Sequence, residues 1–185
     1  TKSLGIATNK NHAIIVNNYL QTSVKNIYAI GDVTDKMNLT PVAIAEGHAL
    51  ADKLFGKHSL KSLDLNNVGS AVFSTPPICS IGPTEELAKK KYKHILIYES
   101  SFNALKYSIV KKKIPTYIKL IVNGENGRVI SAHMFGEEAP EIIQMISVSI
   151  NAKATITNFK DTFAIHPTVA EEFVTFKDVS RVYKN

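Results

Sequence analysis

The stretch His166-Pro167-Thr168-Val169-Ala170-Glu171-Glu172 holds the residue types best able to move a proton. An imidazole changes charge near neutral pH, and a carboxylate holding one of its nitrogens orients the other as acid or base. Pro167 fixes the backbone beside His166, and Glu171 follows on a tight turn into a helix. The same segment has the Thr168-x-x-Glu171 spacing of a capping box, in which the carboxylate only closes a helix end. Spacing alone fits both readings. A second candidate is Ile27-Tyr28-Ala29-Ile30-Gly31-Asp32. A carboxylate at the carboxyl end of a buried strand lies where α/β sheets hold ligands. Gly31 permits close backbone approach, and Asp32 can accept hydrogen bonds from sugar-like hydroxyls; the plainer reading is a strand-ending turn. A third is the helix start at Thr40-Pro41, whose amides and positive dipole end favour an anion, as any helix start does. Cys79 is the single cysteine. Its being alone excludes an internal disulfide, a redox dithiol and a CxxC zinc site, and with no basic neighbour in sequence it reads as an inert, buried thiol. His12, His48, His58, His94 and His133 show no metal-ligand spacing, so no metal is expected. GxGxxG, P-loop and GxSxG patterns are absent.

These groups need elements to position them. His12–Val16 and Ile27–Ile30 read as strands. Thr40 reads as the cap of a helix with Pro41 in its first turn, which Gly56 closes, with small apolar residues on most of its sides, a pattern of burial against neighbours. Residues 57–67 are polar and read as a linker. Beyond it, Ala71–Ser74, His94–Tyr98, Tyr117–Val122 and Val129–Phe135 read as strands, the last two as a hairpin around Asn123–Gly127. Helices are expected at Glu85–Lys91 behind Thr84, at Glu141–Ala152 behind Pro140, near Thr155–Phe159, and from Thr168 to Phe173. The charged tail from Lys177 reads as loose. The expected fold is α+β: residues 1–65 as a strand-and-helix remnant, and residues 66–185 as an antiparallel sheet with helices on one face.

The chain has 185 residues, 44% hydrophobic and 21% charged, a globular composition with length enough for a core. Its 22 basic and 16 acidic residues give a net charge of +6. That balance permits nucleic acid or an acidic membrane. The lysines are dispersed, apart from Lys89–Lys91 and Lys111–Lys113, with no aromatic residues interleaved for stacking. Neither partner is expected, and small anions suit the charge equally well. No apolar run approaches the ~20 residues of a membrane span. The first residues, Thr1-Lys2-Ser3-Leu4, lack Met and any signal pattern, so the expectation is a stretch of a longer, cytoplasmic protein.

Taken in order, IYAIGDVTDKMNLTPVAIAEG (27–47), VFSTPPICSIGPTEE (72–86), SSFNAL (100–105), GRVISAHMFGEEAPEIIQ (127–144) and AIHPTVAEEFVT (164–175) resemble the C-terminal part of the flavin-dependent disulfide reductases of the glutathione and trypanothione reductase family. The resemblance implies that residues 1–65 comprise the end of an NADPH domain and the last segment of an FAD domain, and that 66–185 form the dimerisation domain. It implies FAD contacts at Gly31, Asp32, Leu39, Thr40 and His166, and a nicotinamide neighbour at Val72. His166 held by Glu171 would be the acid/base pair, acting across a homodimer. Glutathione disulfide is the implied substrate, near His48, Phe102 and Glu172; His48 departs from the arginine frequent there in glutathione reductases. Trypanothione reductase or lipoamide dehydrogenase types, or a non-catalytic dimerisation module, are the alternatives. The redox cysteine pair and both dinucleotide fingerprints of the family are absent here, so these residues alone are expected to be inactive.

Overall fold

A computed structural model of the chain describes residues 2–56, 63–111 and 113–184. Residues 57–62 of the expected linker, including His58, lie outside the described residues, as do Lys112 and Asn185. The chain divides into two compact units, residues 1–64 and 65–185.

In the first unit the two expected strands do not form. Among the described residues only single antiparallel bridges appear there, Thr8 to Ile14 and Gln21 to Tyr28. The cause is local: His12 and Leu20 adopt positive φ values of 63° and 61° and reverse the chain before a ladder can grow. Asn9 and Asn17 reinforce these reversals, their Oδ1 atoms accepting the N–H of Asn11 and Tyr19, each at 2.8 Å. The helix α1 spans Thr40–Phe55, with Pro41 in its first turn. Thr40 is not its cap: Leu39 holds that position and brings no side-chain acceptor. Nor is the helix buried on most sides. Val42 and Glu46 are buried, whereas Ile44 is 54% and Phe55 88% exposed.

The second unit is an antiparallel sheet of six strands in the order β1-β2-β5-β4-β3-β6. The strands are β1 (Ser70–Val72), β2 (Ile78–Ile81), β3 (His94–Asn103), β4 (Pro115–Asn123), β5 (Val129–Phe135) and β6 (Arg181–Lys184). The β4–β5 hairpin turns as expected. β2 was hidden by the Pro76-Pro77 pair before it. β6 replaces the loose tail: Arg181 and Tyr183 alternate with Val182 and Lys184, and the strand pairs with Ile97–His94 of β3. The helix α3 (Ala139–Asn151) buries Ile143, Ile146 and Ile150, at spacings of three and four, against Leu120, Ala132 and Met134. The short helix α2 (Glu85–Lys91) is capped by Thr84, whose Oγ1 accepts the Leu87 N–H at 3.3 Å. It covers the opposite face, where Ala88 meets Ile95, Ile97 and Ile121. Helices therefore lie on both faces, not one, because alternation along β3 makes both of its sides apolar. A further turn, α4 (Ile156–Lys160), carries a full capping box from Thr155 and Asn158.

The α2 face is polar toward its other end. Glu85 accepts from Arg181 at 2.8 Å and pairs with Lys89 at 3.1 Å and Lys119 at 3.4 Å. Glu99 pairs with Arg181 and accepts the Tyr117 O–H at 2.6 Å. Burial alone would raise the Glu85 carboxyl, but hydrogen bonds from Lys89 and Arg181 and the nearby cations outweigh it and hold it at about 2. His133, across from Lys119, is pushed down to about 4 by burial and by that ammonium.

Candidate active site

The segment from Thr162 leaves α4 and carries Phe163 and Ile165 outward, 96% and 76% exposed, just before His166. The chain then tightens into a 3-10 turn at Ala170–Phe173, with Phe173 buried in the main core as its anchor. Thr168 does not head a regular helix, but its Oγ1 accepts the Glu171 N–H at 3.1 Å. Glu171 returns the bond: its Oε1 accepts the Thr168 N–H at 3.3 Å. The same carboxylate meets His166 Nδ1 at 3.0 and 3.1 Å. The cap and the imidazole holder are thus one arrangement, with Glu171 filling both roles. With Nδ1–H donating to the carboxylate, Nε2 is left as the working nitrogen. The His166 side chain is 72% exposed and that of Glu171 16%, so the pair presents a reactive atom outward from a fixed base. Glu172, half-buried next to Glu171, has its carboxyl raised by burial and then by its neighbour's charge.

A cavity of about 560 Å³ runs alongside, walled by Pro167–Ala170, by Ala104–Lys106 and by Glu138, Glu141 and Ile142. Lys106 pairs with Glu137 at 2.7 Å and also with Glu138, and Tyr107 donates to Glu137. The bonds to Glu137 and Glu138 raise the Lys106 ammonium, and those from Lys106 and Tyr107 lower the Glu137 carboxyl. Sequence reasoning missed Lys106; its signal is the Glu137-Glu138 pair, whose two charges call for a cation. Phe102 stands just before this wall but packs its ring partly against the main core. Val72 is exposed at the end of β1.

In the first unit, Gly31–Thr34 form a 3-10 turn, and Gly31 has φ +66°. A Cβ on Gly31 would stand 2.9 Å from that of Ala43 in α1, so both the conformation and the close approach require glycine. The Gly31 N–H donates to the buried Glu46 carboxylate at 2.7 Å, and Thr34 Oγ1 donates to the Gly31 carbonyl at 2.8 Å. Glu46 was missed as a positioning residue; a lone acid among Ala43, Ala45 and Gly47 was its signal. The turn leaves Asp32 exposed, and among the described residues nothing hydrogen-bonds its carboxylate. At the start of α1, Pro41 has no N–H, and the N–H groups of Val42 and Ala43 both donate to the Leu39 carbonyl. Thr40 N–H is the first-turn amide left over among the described residues. His48 lies exposed on α1.

Residues 68–176 match the family model of the pyridine nucleotide-disulphide oxidoreductase dimerisation domain, and residues 1–47 match the pyridine nucleotide-disulphide oxidoreductase model. The chain belongs to the pyridine nucleotide-disulphide oxidoreductase family. Within it, the chain is 45% identical over 177 residues to a glutathione reductase of Burkholderia cepacia, covering 96% of this chain and 39% of the relative. It is 43% identical to a trypanothione reductase of Leishmania donovani, over 98% of this chain and 37% of the relative. A chloroplastic/mitochondrial glutathione reductase of Pisum sativum is 44% identical over the whole chain and 33% of its own length. The chain therefore spans well under half of these relatives. The HOCl-induced flavoprotein disulfide reductase RclA of Escherichia coli has a similar structure, with TM-score 0.79 and 26% identity over 93% of this chain and 40% of that one.

Proposed function

We propose that this chain works within a longer, homodimeric, NADPH-dependent flavoprotein disulfide reductase of the glutathione reductase type, and that it supplies the acid/base pair. The carrying observation is His166, its side chain largely exposed and held at Nδ1 by a carboxylate that the backbone itself fixes. Reduction of a disulfide takes two electrons and two protons and yields two thiols. Protonated His166 gives its Nε2 proton to the departing thiolate, and Glu171 stabilises the imidazolium before that transfer. FAD, when bound, relays two electrons from NADPH to the disulfide. The first unit fits such a group: the unpartnered Asp32 carboxylate suits sugar-like hydroxyls, Gly31 packs against Ala43 and sets the turn that presents it, and the Thr40 N–H suits a ring carbonyl. Leu39 positions that amide, and Val72 is the expected nicotinamide neighbour.

The apolar surface around His166 and the outer face of α3, where Met145 and Val148 are exposed, suit a second copy of the chain. Glutathione disulfide is the proposed substrate, with Glu172, Phe102 and His48 as its expected contacts. Trypanothione disulfide is the alternative, given the Leishmania donovani relative. No described helix is long and apolar enough to cross a membrane, and we place the protein in the cytoplasm, which cell fractionation checks.

In the full-length reductase, His166→Ala should lower disulfide turnover about 10²–10⁴-fold while flavin reduction by NADPH persists. Equal loss of both half-reactions would remove His166 from the proton role. Glu171→Ala should lower both turnover and melting temperature; a change in melting temperature alone would reduce it to a cap.

A further inference from the structure

We propose that the second unit carries a binding cleft for a small organic polyanion of the nucleoside diphosphate class, away from the His166 segment. The cleft, of about 790 Å³, opens between the end of α2, the β4–β5 turn and the end of α3. Small-molecule sites typically fall in this size range, roughly 300–1,000 Å³. Lys90, Lys91, Arg128 and Lys153 line it, and among the described residues no carboxylate does. None of these four cations is in an ion pair among the described residues.

Two of the four asparagines in the lining sit at the β4–β5 turn. Asn123 Oδ1 accepts the Glu125 N–H at 2.9 Å, and Asn126 Oδ1 accepts the Arg128 N–H at 3.1 Å. With those oxygens engaged, the amide NH₂ ends of Asn123 and Asn126 are what these side chains have left to offer a ligand, and NH₂ groups donate. The carboxyl ends of α2 and α3 oppose an anion, each worth about half a negative charge. Four whole positive charges exceed that. Beside the cations lie Leu87, Ile130 and the Tyr92 ring, with Lys91 Nζ 5.8 Å from the ring centroid. An apolar, partly aromatic wall next to a cationic one suits a flat ring joined to phosphates, more than a bare ion.

The test is calorimetric titration of the 185-residue chain with ADP, pyrophosphate and adenosine at low and physiological salt. ADP should bind saturably, about tenfold more tightly than either part, and more weakly at the higher salt. Lys91→Glu with Arg128→Glu should weaken ADP by about tenfold or more with an unchanged melting curve. If that pair perturbs folding, Lys153→Glu alone should weaken binding in the same direction. Absence of saturable binding overturns the proposal. Binding untouched by these substitutions places ADP elsewhere and also overturns it. Pyrophosphate binding as tightly as ADP overturns the nucleoside class.

Discussion

The two units spend similar apolar residues very differently. In the second, Leu120 and Ile97 are fully buried because each strand finds neighbours on both sides and a helix above. In the first, Ile14 and Ile27 belong to equally β-branched stretches, yet reversals at His12 and Leu20 stop pairing after a single bridge. Strand-like composition becomes a strand only where a ladder can continue. The first unit is held instead by backbone and Asn hydrogen bonds, and by one buried carboxylate at Gly31.

Substitutions should expose that contrast. Leu120→Ala should destabilise the second unit by about 2–5 kcal/mol. Ile44→Ala, on the exposed side of α1, should change stability by less than about 0.5 kcal/mol; urea melts of the two variants compare them, and similar losses would erase the distinction. The next effect is pH-dependent and confined to the second unit. His133 titrates at about 4 in the fold against an ordinary 6.5, so the unfolded chain takes up the proton first. Its contribution is complete above pH 6.5 and is lost as pH falls toward 4, by at most about 3 kcal/mol. His133→Gln should flatten that part of a stability–pH curve. Glu85 acts lower, its contribution lost as pH falls from 4.5 toward 2.

Two glycines give a smaller comparison. Gly124→Ala would set a Cβ 2.4 Å from the His94 ring, and Gly31→Ala combines a positive φ with the Ala43 contact. Each should cost about 1–3 kcal/mol, but only Gly31→Ala should move the Asp32 turn, seen as altered amide shifts there. Arg181→Ala is the mildest. It removes the partner shared by Glu85 and Glu99 and should cost about 1 kcal/mol after solvent screening, read as a lower urea midpoint.

Much of the second unit was legible because its signals were local. Thr84 announced α2, the Asn-Gly turns announced the hairpin, and isoleucines at helical spacing announced α3. β2 was missed because four residues after a Pro-Pro pair carry no clear period. β6 was missed because its reason to be ordered, Arg181 between two distant carboxylates, is non-local. At the site, the residues were readable but the arrangement was not. Thr168 and Glu171 supported a cap or a catalytic pairing equally, and only geometry shows Glu171 bonding both ways. The cap expected at Thr40 falls on Leu39, because Pro41 marks a first turn without saying which residue precedes it.

The pairing of β3 with β6 also has a timetable. Glu99 lies 81 residues ahead of Ser180, whose Oγ accepts its N–H. A ribosome adding about 5–20 residues per second takes roughly 4–16 s to cover that distance. Throughout, β3 is an open edge able to recruit a strand from another nascent chain. Glu99 stands on β3 with Arg181 not yet made. Its charge repels a second copy of the same strand, and the arriving arginine then converts the deterrent into a latch.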